Sequence, residues 1–216
     1  MTMIEEEQEG FAAFMLRMRA AGIGSKELFA AMEATPRTAF VPADWRRAVW
    51  TNRTVPIECG EALEACDLQA MALHALDLQP GARVLEVGTG SGYTAAVIAR
   101  LCDKVLTLDR YKTLLEQAGL RHGHLGLGNV VTRQADGSDG AADGPFDRIV
   151  VWAAFAEMPR RFVDCLTSGG IMVAPLGPGD GVQTMAKFVK VGSRFERTDL
   201  GPVRLQALAR GVAEAL

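Results

Sequence analysis

The chain has no apolar run approaching the 18 or more residues that a bilayer crossing requires, so no membrane span is expected. It has no excess of positive charge either. Its 23 Lys and Arg stand against 26 Asp and Glu, a net charge of −3, and no basic stripe appears. That argues against tight binding to a nucleic-acid backbone. Cysteine is sparse: Cys59, Cys66, Cys102 and Cys165 form no CxxC pair and have no histidine at ligand spacing. Zinc and disulfides are therefore not expected, and reduced thiols are. The beginning of the chain lacks the positive charge of a signal peptide, running instead through Glu5-Glu6-Glu7-Gln8-Glu9. A cytoplasmic protein without metal is the expectation. No repeat or low-complexity segment is visible.

What is present is enough to bury a sizeable core: 216 residues, 49% hydrophobic. Residues 4 to 34 read as two helices broken at Gly22-Ile23-Gly24, the second capped by Ser25. Residues 40 to 66 are irregular, with Pro42 and Pro56. Asp67 can cap a helix carrying Leu68, Met71, Ala72, Ala75 and Leu76, stopped by Pro80-Gly81. Strands then fall at about 83–87, 104–108, 129–133, 147–152 and 170–176, with helices near 92–101, 111–122 and 157–166. That alternation predicts an α/β fold: a doubly wound, mostly parallel sheet, brought to seven strands by antiparallel edge strands at Val182–Val191 and Asp199–Leu208. Two parts are expected: residues 1–66, helical with a substrate-side loop, and residues 67–216, the cofactor-binding part, together one compact unit.

The most informative stretch is Val84-Leu85-Glu86-Val87-Gly88-Thr89-Gly90-Ser91-Gly92-Tyr93. A buried strand feeds a turn with glycine at every second position, and a helix follows, the first unit of a nucleotide-type cofactor site. Glycines there let backbone approach a ligand and adopt positive φ. The order is G-x-G-x-G rather than G-x-G-x-x-G, and Glu86 would oppose a phosphate. S-adenosylmethionine, which carries a sulfonium and an α-ammonium and no phosphate, suits an acid beside this turn. Asp109, followed by Arg110, closes the next strand where a carboxylate can accept the ribose hydroxyls. Asp136-Gly137 follows the third strand, where an adenine-binding turn is expected.

This order of motifs resembles the protein-L-isoaspartate O-methyltransferase family from about Leu28 almost to the C-terminus. The resemblance rests on Pro36-Arg37-x-x-Phe40-Val41-Pro42, on Pro56-Ile57 leading to Gly60, and on the run from Leu78 to Tyr93. It continues through Phe146-Asp147-x-Ile149-Val150-Val151, Ala153-Ala154, Pro159, Gly169-Gly170, Pro175-Leu176-Gly177-Pro178 and Asp199-Leu200-Gly201-Pro202-Val203-Arg204. It implies a class I, metal-free, cytosolic enzyme. Such an enzyme uses S-adenosylmethionine to esterify the α-carboxyl of isoaspartyl residues in damaged proteins. Pro56, Ile57, Gly60, Glu61, Trp152, Pro175, Leu176 and Gly177 would then face the acceptor.

One loop departs from the family pattern. Where members carry Gly-x-Gly-Gln-Thr-Ile-Ser, this chain reads Glu58-Cys59-Gly60-Glu61-Ala62-Leu63-Glu64, with Asn52 for an Asp and Trp152 for a Thr. Glu64 stands at the Ser position. Methyl transfer to a carboxylate needs no general base, because the nucleophile is already ionised at pH 7. It needs placement about 3 Å from the methyl in a dry site. Two like charges ~4 Å apart cost on the order of 4 kcal/mol at an effective dielectric near 20. That is roughly a thousandfold in affinity. Glu64 can escape the conflict by pointing away, by pairing with Arg53 or by staying protonated. Alternatively Glu61 and Glu64 select an amine, hydroxyl or small-molecule acceptor, or the chain is a non-catalytic cofactor-binding relative. Trp152 is packing or a stacking wall. His74 is structural, and His122 and His124 are cations at a helix C-terminus.

Overall fold

The computed structural model describes residues 3–213, with side chains from residue 6 onward. The chain's first two residues, on which part of the signal-peptide argument rests, and its last three lie outside the described residues. Seven strands form one sheet: β3 (Arg83–Val87), β4 (Lys104–Asp109), β5 (Val130–Gln134), β6 (Phe146–Val151), β7 (Leu166–Leu176), β8 (Gln183–Val191) and β9 (Arg194–Val203). Their order is β5-β4-β3-β6-β7-β8-β9. Pairings from β5 through β7 are parallel, and the last two are antiparallel. This is the expected doubly wound sheet. Winding reverses between β3 and β6, so a crevice opens beyond the carboxyl end of β3, where such sheets bind ligands.

Burial follows from composition. Val84, Leu85 and Val87 of β3 and Ile149, Val150 and Val151 of β6 are all buried, as continuous apolar strands in a two-sided sheet must be. Helix α4 (Tyr93–Ala99) is buried at every residue, which its unbroken Ala-Val-Ile character permits. Helix α5 (Lys112–His124) crosses over between β4 and β5, burying Leu114, Leu115, Ala118 and His122.

The N-terminal part packs into the same core. Helix α1 (Met3–Ala20) puts Phe11 and Phe14 against Trp50, and helix α2 (Lys26–Glu33) is capped by Ser25, whose Oγ accepts from Leu28 N at 3.1 Å. A hairpin with two residues in each strand pairs β1 (Val55–Pro56) with β2 (Ala62–Leu63), and helix α3 (Cys66–Leu76) follows. Among the described residues no helix is long and apolar enough to cross a membrane, and no cluster of His, Cys, Asp and Glu is able to hold a metal.

Three elements differ from expectation. Asp67 does not cap α3, which starts at Cys66 behind Ala65; its carboxylate instead takes a forked pair from Arg17, at 2.8 and 3.2 Å. The helix expected at 157–166 shrinks to α6, Phe162–Cys165, because Pro159 disfavours helix at Met158, and β7 already begins at Leu166. The last strand ends at Val203, not Leu208. Beyond it the chain leaves the sheet and runs back across the crevice.

Candidate functional site

The crevice is a cavity of about 360 Å³, within the range of small-ligand sites. Four strand ends and two covering segments line it: the loop after β3, the ends of β4, β5 and β6, the β1–β2 hairpin, and residues 204–209.

The loop's shape depends on its glycines. Gly88, Gly90 and Gly92 have φ of 96°, 51° and 85°. A Cβ on Gly88 would come within 3.1 Å of Trp152 Cβ, and one on Gly92 within 2.7 Å of Ala118 Cβ and 2.8 Å of His122 Nε2. The amides of Gly88 and Thr89 donate to the Leu108 carbonyl at 2.8 and 3.1 Å. Gly90 N donates to Asp109 Oδ2 at 2.9 Å, while Tyr111 N donates to Oδ1 at 3.0 Å. Asp109 is thus held at the cavity wall by backbone donors. Burial raises its pKa above the usual carboxylate value.

Helix α5 fastens the loop from outside. Arg121 Nη1 donates to the Ser91 carbonyl at 3.0 Å, and His122 Nε2 lies 2.8 Å from the Gly92 carbonyl. Burial holds the His122 imidazole below its ordinary pKa. His122 is therefore a loop anchor rather than a solvated helix-end cation.

Glu86, expected beside the cofactor, stands away from the cavity. It is fully buried beneath the loop and does not line the cavity. Its carboxylate gathers three donors: Thr94 Oγ1, Thr107 Oγ1 at 2.7 Å and Trp152 Nε1 at 3.0 Å. The Thr107 hydroxyl is spent on Glu86, so Thr89 Oγ1 donates to Thr107 at 2.6 Å and ties the loop into the network. Burial, opposed by those donors, pushes the Glu86 carboxyl up to about 7. Glu86 ties loop, helix and Trp152 together; Trp152 still presents a face to the cavity.

Of the other candidates, Thr89, Ser91, Arg110, Asp136, Gly137, Glu61 and Glu64 line the cavity with Gly88, Gly90 and Asp109. Gly92, Tyr93, Pro56, Ile57, Gly60, Pro175, Leu176 and Gly177 do not. Tyr93 is fully buried against Phe40 and under the Arg37 guanidinium, 4.5 Å from its ring. Ile57 stays close to the site, its Cδ1 3.5 Å from where a Gly90 Cβ would stand. Gly137 is tightly confined, since a Cβ there would lie 2.3 Å from Val87 Cγ1.

Pro175 to Gly177 are displaced by a segment the sequence did not single out. Phe155 N donates to the Pro175 carbonyl at 3.0 Å and Gly177 N to the Phe155 carbonyl at 2.9 Å. The neighbouring Ala154 pairs with the C-terminal strap: Ala154 N to the Gln206 carbonyl at 2.7 Å, Leu208 N to the Ala154 carbonyl at 2.9 Å. Further on, Gly211 N donates to Asp136 Oδ2 at 2.7 Å and Ala213 N to the Arg110 carbonyl at 3.0 Å. The strap crosses the cleft from β6 to β4, and its Gln206 lines the cavity together with Glu61 of the hairpin. Gln69, Thr94, Thr54 and Arg204 complete the wall. Gln69, a polar residue on an otherwise apolar helix face, was the one such signal legible in the sequence.

The wall carries four acids, Glu61, Glu64, Asp109 and Asp136, against Arg110 and Arg204. Burial raises the pKa of Glu61 and lifts that of Glu64 to about 7. Such a wall suits a cationic ligand.

Comparison with known proteins agrees with this geometry. The family model described as protein-L-isoaspartate(D-aspartate) O-methyltransferase matches residues 10–212. A protein-L-isoaspartate O-methyltransferase of Rhizobium meliloti is 48% identical over 186 residues, 86% of this chain and 91% of that protein. One from Azorhizobium caulinodans is 41% identical over the whole of both chains. Among solved structures, a protein of the same description from Plasmodium falciparum, in complex with S-adenosyl-L-homocysteine, shares the fold. Its TM-score is 0.77 at 21% identity, over 91% of this chain and 97% of that one.

Proposed function

The chain belongs to the protein-L-isoaspartate O-methyltransferase family, and we propose that its cleft transfers a methyl group from S-adenosylmethionine to the α-carboxylate of isoaspartyl residues in proteins. The observation that carries this is the shared cavity. The backbone of Gly88 to Ser91 and the Asp109 carboxylate form one side, the Glu61–Glu64 hairpin forms the other, and about 360 Å³ lies between.

The residues present fit the cofactor. Gly88 and Gly90 leave backbone bare toward the cavity, the Asp109 carboxylate on its wall would take the ribose hydroxyls, and the turn at Asp136-Gly137 would face the adenine. The excess of acids favours a ligand with two cationic groups. When bound, S-adenosylmethionine supplies a methyl on a sulfonium: a carboxylate oxygen forms the new C–O bond, and the C–S electron pair stays on the departing thioether. The protein's work is placement and dryness, and the strap and hairpin, both lining the cavity, supply the cover.

A cytoplasmic setting belongs to the same reading, supported by the four unpaired cysteines. So does a division of labour in which residues 1–66 shape the acceptor side and residues 67–216 hold the cofactor. The test is incubation with an isoaspartyl peptide, its aspartyl counterpart and methyl-labelled cofactor. Base-labile ester on the isoaspartyl peptide alone supports the proposal, and alkali-stable product or none overturns it.

A further inference from the structure

The acceptor side of the cavity is organised by a charge that never reaches it. Arg37 is fully buried. Its Nη1 donates to Gln69 Oε1, its Nη2 donates to the main-chain carbonyl of Glu64 at 2.6 Å, and its face covers the Tyr93 ring. A guanidinium has only donors, so the Gln69 amide must turn its oxygen to Arg37 and leave its NH₂ on the other side. That Nε2 has no protein partner among the described residues, and Gln69 lines the cavity. Glu64 lies on the same wall. Its main chain is pinned by Arg37, and among the described residues its carboxyl has neither a hydrogen-bond donor nor an ion pair.

We propose that Gln69 and Glu64 are the acceptor-specificity residues: the Gln69 amide and a neutral Glu64 carboxyl present two uncharged donors to the acceptor carboxylate, with Arg37 as the positioning residue behind both. This rests on the carboxyl-methyltransferase reading above. An ionised Glu64 would repel the acceptor, whereas a neutral acid donates to it, as buried carboxyls do when no partner stabilises their charge. The charged group whose field reaches Glu64 is Arg37, which favours ionisation; burial opposes it and prevails, and the carboxyl sits at about 7. The remaining ionisable groups on the wall are Glu61, Asp109, Asp136, Arg110 and Arg204. None of these shifts Glu64 measurably, whereas an acceptor carboxylate beside it would favour its neutral form.

The test is the pH profile of kcat/KM for an isoaspartyl peptide whose carboxyl is ionised throughout, from pH 5.5 to 9. The parent protein, Glu64→Gln and Gln69→Leu are compared, with calorimetric cofactor affinity measured alongside. The parent is expected to lose about tenfold per pH unit once Glu64 ionises, through a rise in KM rather than a fall in kcat. Glu64→Gln, a permanent neutral donor, should abolish that alkaline limb and exceed the parent at pH 9. Gln69→Leu should raise the peptide KM roughly tenfold, the worth of one hydrogen bond to a charged group, with cofactor affinity unchanged. A flat parent profile overturns the inference, as does a limb that persists in Glu64→Gln, while leaving the methyltransferase reading standing. Cofactor binding with no ester from any variant at any pH overturns both.

Discussion

Asp136 Oδ2 accepts the backbone N–H of Gly211 at 2.7 Å, and through that bond the C-terminal strap is fixed across the cleft. The bond depresses the Asp136 pKa, as a donor to the charged form should. The bond is solvent-exposed, so it contributes only about 0.5–1.5 kcal/mol. Asp136→Ala should therefore speed amide exchange at Gly211 and its strap neighbours by roughly two- to tenfold. Exchange in β3 and β6 should not change; hydrogen-exchange mass spectrometry reads both.

Asp109 supports the loop from within. Asp109→Ala leaves the amides of Gly90 and Tyr111 without acceptors and removes the expected ribose partner. Cofactor affinity should fall by roughly ten- to a hundredfold, since hydrogen bonds to charged groups contribute about 1.5–3 kcal/mol. An unchanged affinity in titration calorimetry would show that the assignment of Asp109 is wrong.

Glycine substitutions should separate by position. Gly137→Ala drives a methyl into Val87, 2.3 Å away, and should cost about 1–3 kcal/mol by overpacking. Gly123→Ala, in α5 with nothing within 4 Å, should gain about 0.5–1 kcal/mol by restricting the unfolded chain. Denaturant midpoints of the two variants should move in opposite directions.

Stability should fall as pH rises from about 5 to about 7. Glu86 titrates near its ordinary value when unfolded but at about 7 when buried, so across that window the unfolded chain has released a proton that the folded one retains. Stability is therefore greatest below the unfolded value, declines through the window and levels off above it. At about 1.4 kcal/mol per pH unit the loss approaches 3 kcal/mol. Glu64, which burial also lifts to about 7, adds a similar slope, so Glu86→Gln should remove about half of the total. Chemical denaturation from pH 5 to 8 measures it.

The parallel strands were legible because continuous Val, Leu and Ile runs between glycine-rich turns have few other uses, and Gly88 to Gly92 marked the turn at the switch point. Asp109 was legible as a carboxylate at a strand tip. Glu86 was misplaced because one residue of register decides whether a strand-end side chain meets ligand or core, and β3 turns it inward. The strap was missed for a different reason. Residues 204–213 have the apolar content of a strand, and only the pairing of Ala154 with Gln206 and Leu208 takes them out of the sheet. His122 was legible only as a helix-end cation and Arg37 only as part of a motif; their roles arise from contacts 30 and 27 residues away along the chain.

Function here requires a cleft that accepts an adenosyl amino acid, and calorimetric titration of the folded protein with S-adenosylmethionine and S-adenosyl-L-homocysteine tests that most directly. One saturable site for each, weakened by Asp109→Ala, is the predicted result. Absence of any binding heat for either ligand, confirmed by an unshifted thermal transition, would contradict it.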